Sequence, residues 1–156
     1  MAHLLAPQPP NPELPVFFNV DHAVGAAPAQ NLREDVLLVQ FAFKVMGEVP
    51  RRPNTEPELV AAARRVRVTG SIDAETVEAI KVFQGVLRRK FPDQVVDGRV
   101  SPARGGYLYS QSAAWLITHL NNALQNPNVG IWPRIDMVQG CPPELGRMVA
   151  RTVAGV

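Results

Sequence analysis

The chain has 156 residues, 46% hydrophobic and 19% charged, a balance that fits one domain with its own core and argues against wholesale disorder or membrane spans. Sixteen basic side chains against 14 acidic ones leave a formal charge of +2, too small a field to hold a phosphate backbone, so no nucleic-acid partner is expected. The single cysteine, Cys141, excludes an internal disulfide, and three histidines beside it offer little material for a metal cage; no cofactor motif is present either.

Pro7, Pro9, Pro10, Pro12 and Pro15 favour extended backbone over helix, so residues 1–30 read as a Pro-rich N-terminal arm. Residues 1–7 contain no Lys or Arg, and their apolar run stops at a proline, which does not match a secretory signal. The expectation is a cytoplasmic start, with export only by a signal-independent route. Val16-Phe17-Phe18-Asn19-Val20 is a short β-prone run able to lie against a domain edge, and residues 25–29 read as a small-residue linker.

Helical signals follow. Asn31 with Glu34 three residues later matches a variant of the capping box, and the spacing predicts a helix over 32–46 through Val36, Val39, Phe43 and Met46. Leu37, Leu38, Phe41 and Val45 make that helix apolar on its other sides, which predicts enclosure by neighbours. Pro50, Arg51, Arg52 and Pro53 mark residues 48–54 as an exposed loop, and Pro57 opens a shorter helix over 58–66 with Arg64 and Arg65 at its negative end. Asp73 caps a third helix, in which Val77, Ile80, Phe83 and Leu87 recur at helical spacing until Phe91-Pro92. A fourth is expected over 111–125, with Ala113, Leu116, Leu120 and Leu124 in one stripe and Asn126-Pro127 as its stop. Residues 126–156 read as a C-terminal extension with a short helix over 144–153. The class expected is all-α, with Val39, Phe43, Ile80, Phe83, Leu116 and Leu120 buried together.

Inside this helical pattern lies a near-repeat. Residues Val68-Thr69-Gly70-Ser71-Ile72 before Asp73 align with Val96-Asp97-Gly98-Arg99-Val100 before Ser101, each a glycine turn leading to a helix-start signal. Together with Asp35-Val36-Leu37-Leu38-Val39-Gln40 and Ala79-Ile80-Lys81-Val82-Phe83-Gln84, these turns resemble the peptidoglycan-binding-domain-like family, whose members combine Val-Asp-Gly turns with an Ala-Val-x-x-Phe-Gln helix. The resemblance covers residues 31–125. It departs from the family pattern at Thr69 and Arg104 and in the long 47–67 connection. It implies a compact three-helix core, here with an extra short helix and both extensions, and a noncatalytic module that docks onto cell-wall glycan or stem peptide.

Candidate ligand-binding residues are Asp97 and Arg99 on the second turn, with Tyr107, Tyr109, Trp115, His119 and Asn122 at or near the start of the fourth helix, where flat rings join hydrogen-bonding tips. Each has a plainer reading: Trp115 packing beneath the C-terminal extension, His119 an ordinary half-exposed residue, Asp97 stabilising its own turn, Arg99 solvated. No His-Glu-x-x-His zinc pattern, Gly-x-Ser-x-Gly elbow or phosphate-binding glycine loop is present, and Cys141 in Gly-Cys-Pro-Pro shows no activating neighbour, so no enzymatic activity is expected. Two partners fit: peptidoglycan, or a protein in a phage-like or secretion-linked assembly, for which Ile131, Trp132 and Met137 are candidate apolar anchors.

Overall fold

The computed structural model describes residues 2–49, 56–110 and 113–154, with side chains to residue 152. Pro50, Arg51, Arg52 and Pro53 of the expected loop lie outside the described residues. Helix α1 (Arg33–Glu48) is enclosed as its all-round apolar sequence requires, and it packs against α2 (Pro57–Arg65), α4 (Leu116–Gln125) and α5 (Pro143–Ala154). Helix α3 (Ala74–Lys90) packs on α2, with Arg89 at its end paired to Glu56 and Glu58 at the start of α2. Asp73 caps α3 as expected, its carboxylate accepting the Thr76 N–H at 2.8 Å. Val39, Phe43, Ile80, Phe83, Leu116 and Leu120 are all buried. No helix among the described residues is long and apolar enough to cross a membrane.

The all-α expectation is overturned. Among the described residues, five α-helices are joined by three two-stranded antiparallel sheets: β1 (His3–Leu5) with β2 (Phe17–Asn19), β3 (Val24–Gly25) with β4 (Arg99–Val100), and β5 (Tyr109–Ser110) with β6 (Ala113–Ala114). Strands of two or three residues are too short for an alternating pattern to register, and the partner of β3 lies more than seventy positions away. The start of the fourth helix is corrected with the class. Gln111 and Ser112 lie outside the described residues, Ala113 and Ala114 are strand, and Trp115 is extended, its N–H donating to the Leu108 carbonyl at 3.1 Å. The capping box is also absent: α1 starts after Leu32 with no side-chain cap, and Asn31 instead accepts the Gly25 N–H at 2.7 Å and donates to the Gly25 carbonyl at 3.1 Å.

The N-terminal segment is built into the core. Phe17, Phe18 and Val20 are fully buried, and Leu14 nearly so. Buried polar side chains fasten residues 18–22 to the rest of the domain, because a segment without long ladders must find partners for its amides elsewhere. The Asn121 amide on α4 accepts from Phe18 N–H and donates to the Phe18 carbonyl, both at 2.7 Å. Asn19 grips Ala103 in the same two-handed way, at 2.9 Å for both bonds. The Asp35 carboxylate takes the N–H groups of Asp21 and His22 at 3.1 and 2.9 Å.

Both glycine turns of the repeat are held by one device. Gln40 Oε1 accepts the N–H groups of Thr69 and Gly70, each at 2.9 Å, while its Nε2 donates to the Ser71 carbonyl at 2.9 Å. Gln84 Oε1 accepts from Asp97 and Gly98 at 3.1 and 2.9 Å, and its Nε2 donates to the Arg99 carbonyl at 2.9 Å. The two copies are therefore equivalent in their bonding as well as their sequence. Gly70 and Gly98 have φ of 80° and 73°, where a side chain is strained, and a Cβ on Gly98 would meet Lys81 Cε at 3.0 Å. Gly98→Val is expected to destabilise the domain by about 1–3 kcal/mol, read as a lower denaturation midpoint. An unchanged midpoint would show that the turn is not strained.

Candidate functional site

The second glycine turn, the 93–95 stretch, the β5–β6 hairpin and the start of α4 enclose a pocket of about 290 Å³. Asp93, Gln94, Asp97, Arg99, Ser101, Ser110 and the Trp115 ring supply most of its chemistry, with Gln84 at its back. Gln84 positions the turn, so the clamp that makes the local fold also sets the pocket wall. Asp97 accepts from Gln84 Nε2 at 3.0 Å and from the Arg99 N–H at 2.9 Å through Oδ1, and its Oδ2 pairs with Arg99 Nη2 at 3.4 Å. Arg99 also reaches the Ala27 carbonyl at 3.4 Å, so both side chains keep fixed directions instead of sweeping solvent.

Three of the sequence-derived candidates, Asp97, Arg99 and Trp115, meet in this pocket. Trp115 is half-buried at the position before α4, and its indole N–H is buried without an acceptor. The other four stand outside the lining. Tyr107 just before β5 and Tyr109 on it are exposed, and Asn122 is half-buried in the second turn of α4. His119 is held between the Phe83 and Phe91 rings, with centroids 6.0 and 6.2 Å away. Burial lowers its pKa from the usual value.

The three proposed anchors in the C-terminal segment separate as well. Trp132 donates its indole N–H to the Val16 carbonyl at 3.0 Å and sets its ring edge-on to Phe18 at 5.6 Å, so its apolar surface is engaged within the chain. Ile131 is half-buried, whereas Met137 is 62% exposed.

The contributions of Gln94, Ser101 and Ser110 were missed, because Gln94 lies in the irregular stretch after α3 and the two serines enter the site through β4 and β5, none of which periodicity reveals. The recurring glutamine after an apolar residue, at Val39-Gln40 and Phe83-Gln84, was the signal available for the clamps. Cys141 is half-buried, and burial with the nearby Asp136 carboxylate pushes its thiol up to about 11, so it stays protonated at neutral pH. Among the described residues no three His, Cys, Asp or Glu side chains gather closely enough to hold a metal ion. No family model, curated protein or solved structure matches the chain.

Proposed function

We propose that the chain is a noncatalytic binding module, and that the pocket beside the second glycine turn receives a bacterial cell-wall fragment, glycan or stem peptide. The observation that carries this reading is the meeting of Asp97, Arg99 and Trp115 around one concavity of about 290 Å³. An aromatic ring beside fixed polar groups suits a ligand with both flat apolar faces and hydrogen-bonding edges. The resemblance of the two glycine turns and their glutamine-bearing helices to peptidoglycan-binding domains supports the choice of ligand. The high thiol pKa of Cys141 supports a role without nucleophilic chemistry.

Retention of the purified chain on insoluble peptidoglycan tests the proposal. Trp115→Ala should weaken retention by about tenfold or more, since loss of a central ring commonly costs that much. Its fold should survive, because the Trp115 side chain makes no hydrogen bond and its backbone bond to Leu108 remains. Trp115→Phe, which keeps a smaller flat ring and gives up part of the indole area together with an unpaired N–H, should retain more binding than Ala. Equal retention by all three proteins would remove the pocket from the reading, and release of soluble muropeptides would overturn the noncatalytic role.

A second reading, a protein-interaction module, is favoured by Val129 and Met137, which are 67% and 62% exposed in the C-terminal segment. Met137→Glu distinguishes it. The variant should leave peptidoglycan retention intact under the first reading and break a complex co-purified from the native host under the second.

A further inference from the structure

Phe43, Phe83, His119 and Phe91 form a line of rings from the core to the surface, with successive centroids 6.3, 6.0 and 6.2 Å apart. Phe43 is fully buried and Phe91 is 38% exposed, so His119 sits where the interior meets water. Its Nε2 is buried and has no partner. Phe91 is the residue that ends α3, and its carbonyl accepts the Gln94 N–H at 2.9 Å. Asp93, Gln94 and Val95 are one wall of the pocket. The seat of Phe91 on the imidazole therefore sets where that wall begins.

We infer that His119 is a proton-operated latch for this wall: the neutral ring holds Phe91 in place, and the protonated ring leaves the slot between Phe83 and Phe91, releasing the 93–95 stretch from the pocket. A charged imidazole in the slot would carry a buried N–H with no acceptor, facing phenyl rings, the weaker of the aromatic cation partners. Swinging toward water removes that penalty.

The ionisable groups on the surrounding elements do not offset it. Helix α4 holds no other titratable residue, and the end of α3 brings Arg88, Arg89 and Lys90, with Arg89 engaged by Glu56 and Glu58. The 91–96 stretch brings Asp93, and the end of α1 brings Lys44 and Glu48, paired with each other. Desolvation is the sole cause of the His119 shift, downward from 6.5. A histidine whose folded pKa is depressed favours the closed form fully above 6.5, and that preference declines as pH falls from there to the folded value.

The test is a pH titration of the full-length chain, 13C-labelled, followed by NMR without any ligand, so it stands or falls separately from wall binding. The His119 Cε1 signal should titrate with a midpoint below 6.5, and the Phe91 ring and Val95 methyl signals should follow at the same midpoint while core Ile80 stays constant. His119→Phe, which fills the slot with an uncharged ring, should abolish the movement of Phe91 and Val95. Phe91→Ala, which uncovers the imidazole, should raise its midpoint toward the ordinary value. Flat Phe91 and Val95 signals through the His119 transition overturn the latch. So do an unchanged titration in His119→Phe, an unmoved midpoint in Phe91→Ala, or loss of the Ile80 signal at the same midpoint.

Discussion

Deleting residues 1–20 is expected to unfold the domain. Leu14, Phe17, Phe18 and Val20 are at most 2% exposed, and full burial of such side chains stabilises by ~1.5–3 kcal/mol each. Four of them amount to about 6–12 kcal/mol, which matches the ~5–15 kcal/mol net stability of a typical domain. The deletion also strips partners from Asn121 and from the Trp132 indole, leaving polar groups unpaired beside a new cavity. Circular dichroism and a thermal melt of residues 21–156 should show no cooperative transition near that of the full chain. A parent-like melt would mean that the aromatic pair contributes little despite its burial. The same reasoning makes truncation an unsuitable probe of partner binding. It extends to the C-terminal segment, where Ile135, Leu145, Met148 and Val149 are buried.

Gln84→Leu is the second large effect expected. Gln84 is 2% exposed, and its amide serves two backbone N–H groups, one carbonyl and the Asp97 carboxylate. Leucine fills similar space and satisfies none of them. With ~1–3 kcal/mol for each buried group left unpaired, and with water reaching part of the turn, the loss should be about 2–5 kcal/mol. Gln40→Leu should behave alike, since Gln40 is fully buried and serves the first turn in the same manner.

Gln84→Glu separates the two halves of the clamp, because a carboxylate accepts but cannot donate. Burial and the neighbouring Asp97 should raise the introduced group's folded pKa above its unfolded value, near 4.3. The variant is then most stable below that unfolded value and loses stability as pH rises through the folded one. Denaturant midpoints for Gln84→Glu at acid and neutral pH check the sign, and a midpoint that rises with pH would show that Gln84 acts chiefly as an acceptor.

The legible part of this fold was the part written in local spacing. Helices α1, α2, α3 and α5 lie where apolar periodicity, Pro57 and the Asp73 cap placed them, and the repeat identified both turns by their glycines. What stayed illegible depends on distant pairing. Nothing local to Val24-Gly25 announces that it will pair with Arg99-Val100, and nothing local to Asn31 shows that it will serve Gly25 in preference to a helix start. The candidate site followed the same rule. Asp97, Arg99 and Trp115 could be chosen by residue type near a turn or helix; His119, read either as a ligand-facing tip or as an ordinary half-exposed residue, is half-buried against Phe83 and Phe91, neighbours that its local spacing does not announce. Trp132 shows the same limit, since its partner Phe18 is over a hundred residues away.

The two-handed grip of Asn121 on Phe18 bears on how the chain is made. It joins positions 103 apart, Asn19 and Ala103 are 84 apart, and Trp132 and Val16 are 116 apart. A nascent chain emerges N-terminus first, at roughly 5–20 residues per second. Phe17 and Phe18 therefore leave the ribosome many seconds ahead of the helix that covers them, and no earlier segment can satisfy the Phe18 amide and carbonyl as Asn121 does. The segment before α1 must wait, with Phe17 and Phe18 uncovered, until more than two thirds of the chain, through α4, has been synthesised. Such an order of events favours slow, late closure of the native state and makes the first twenty residues the natural target for chaperones that hold unfinished chains.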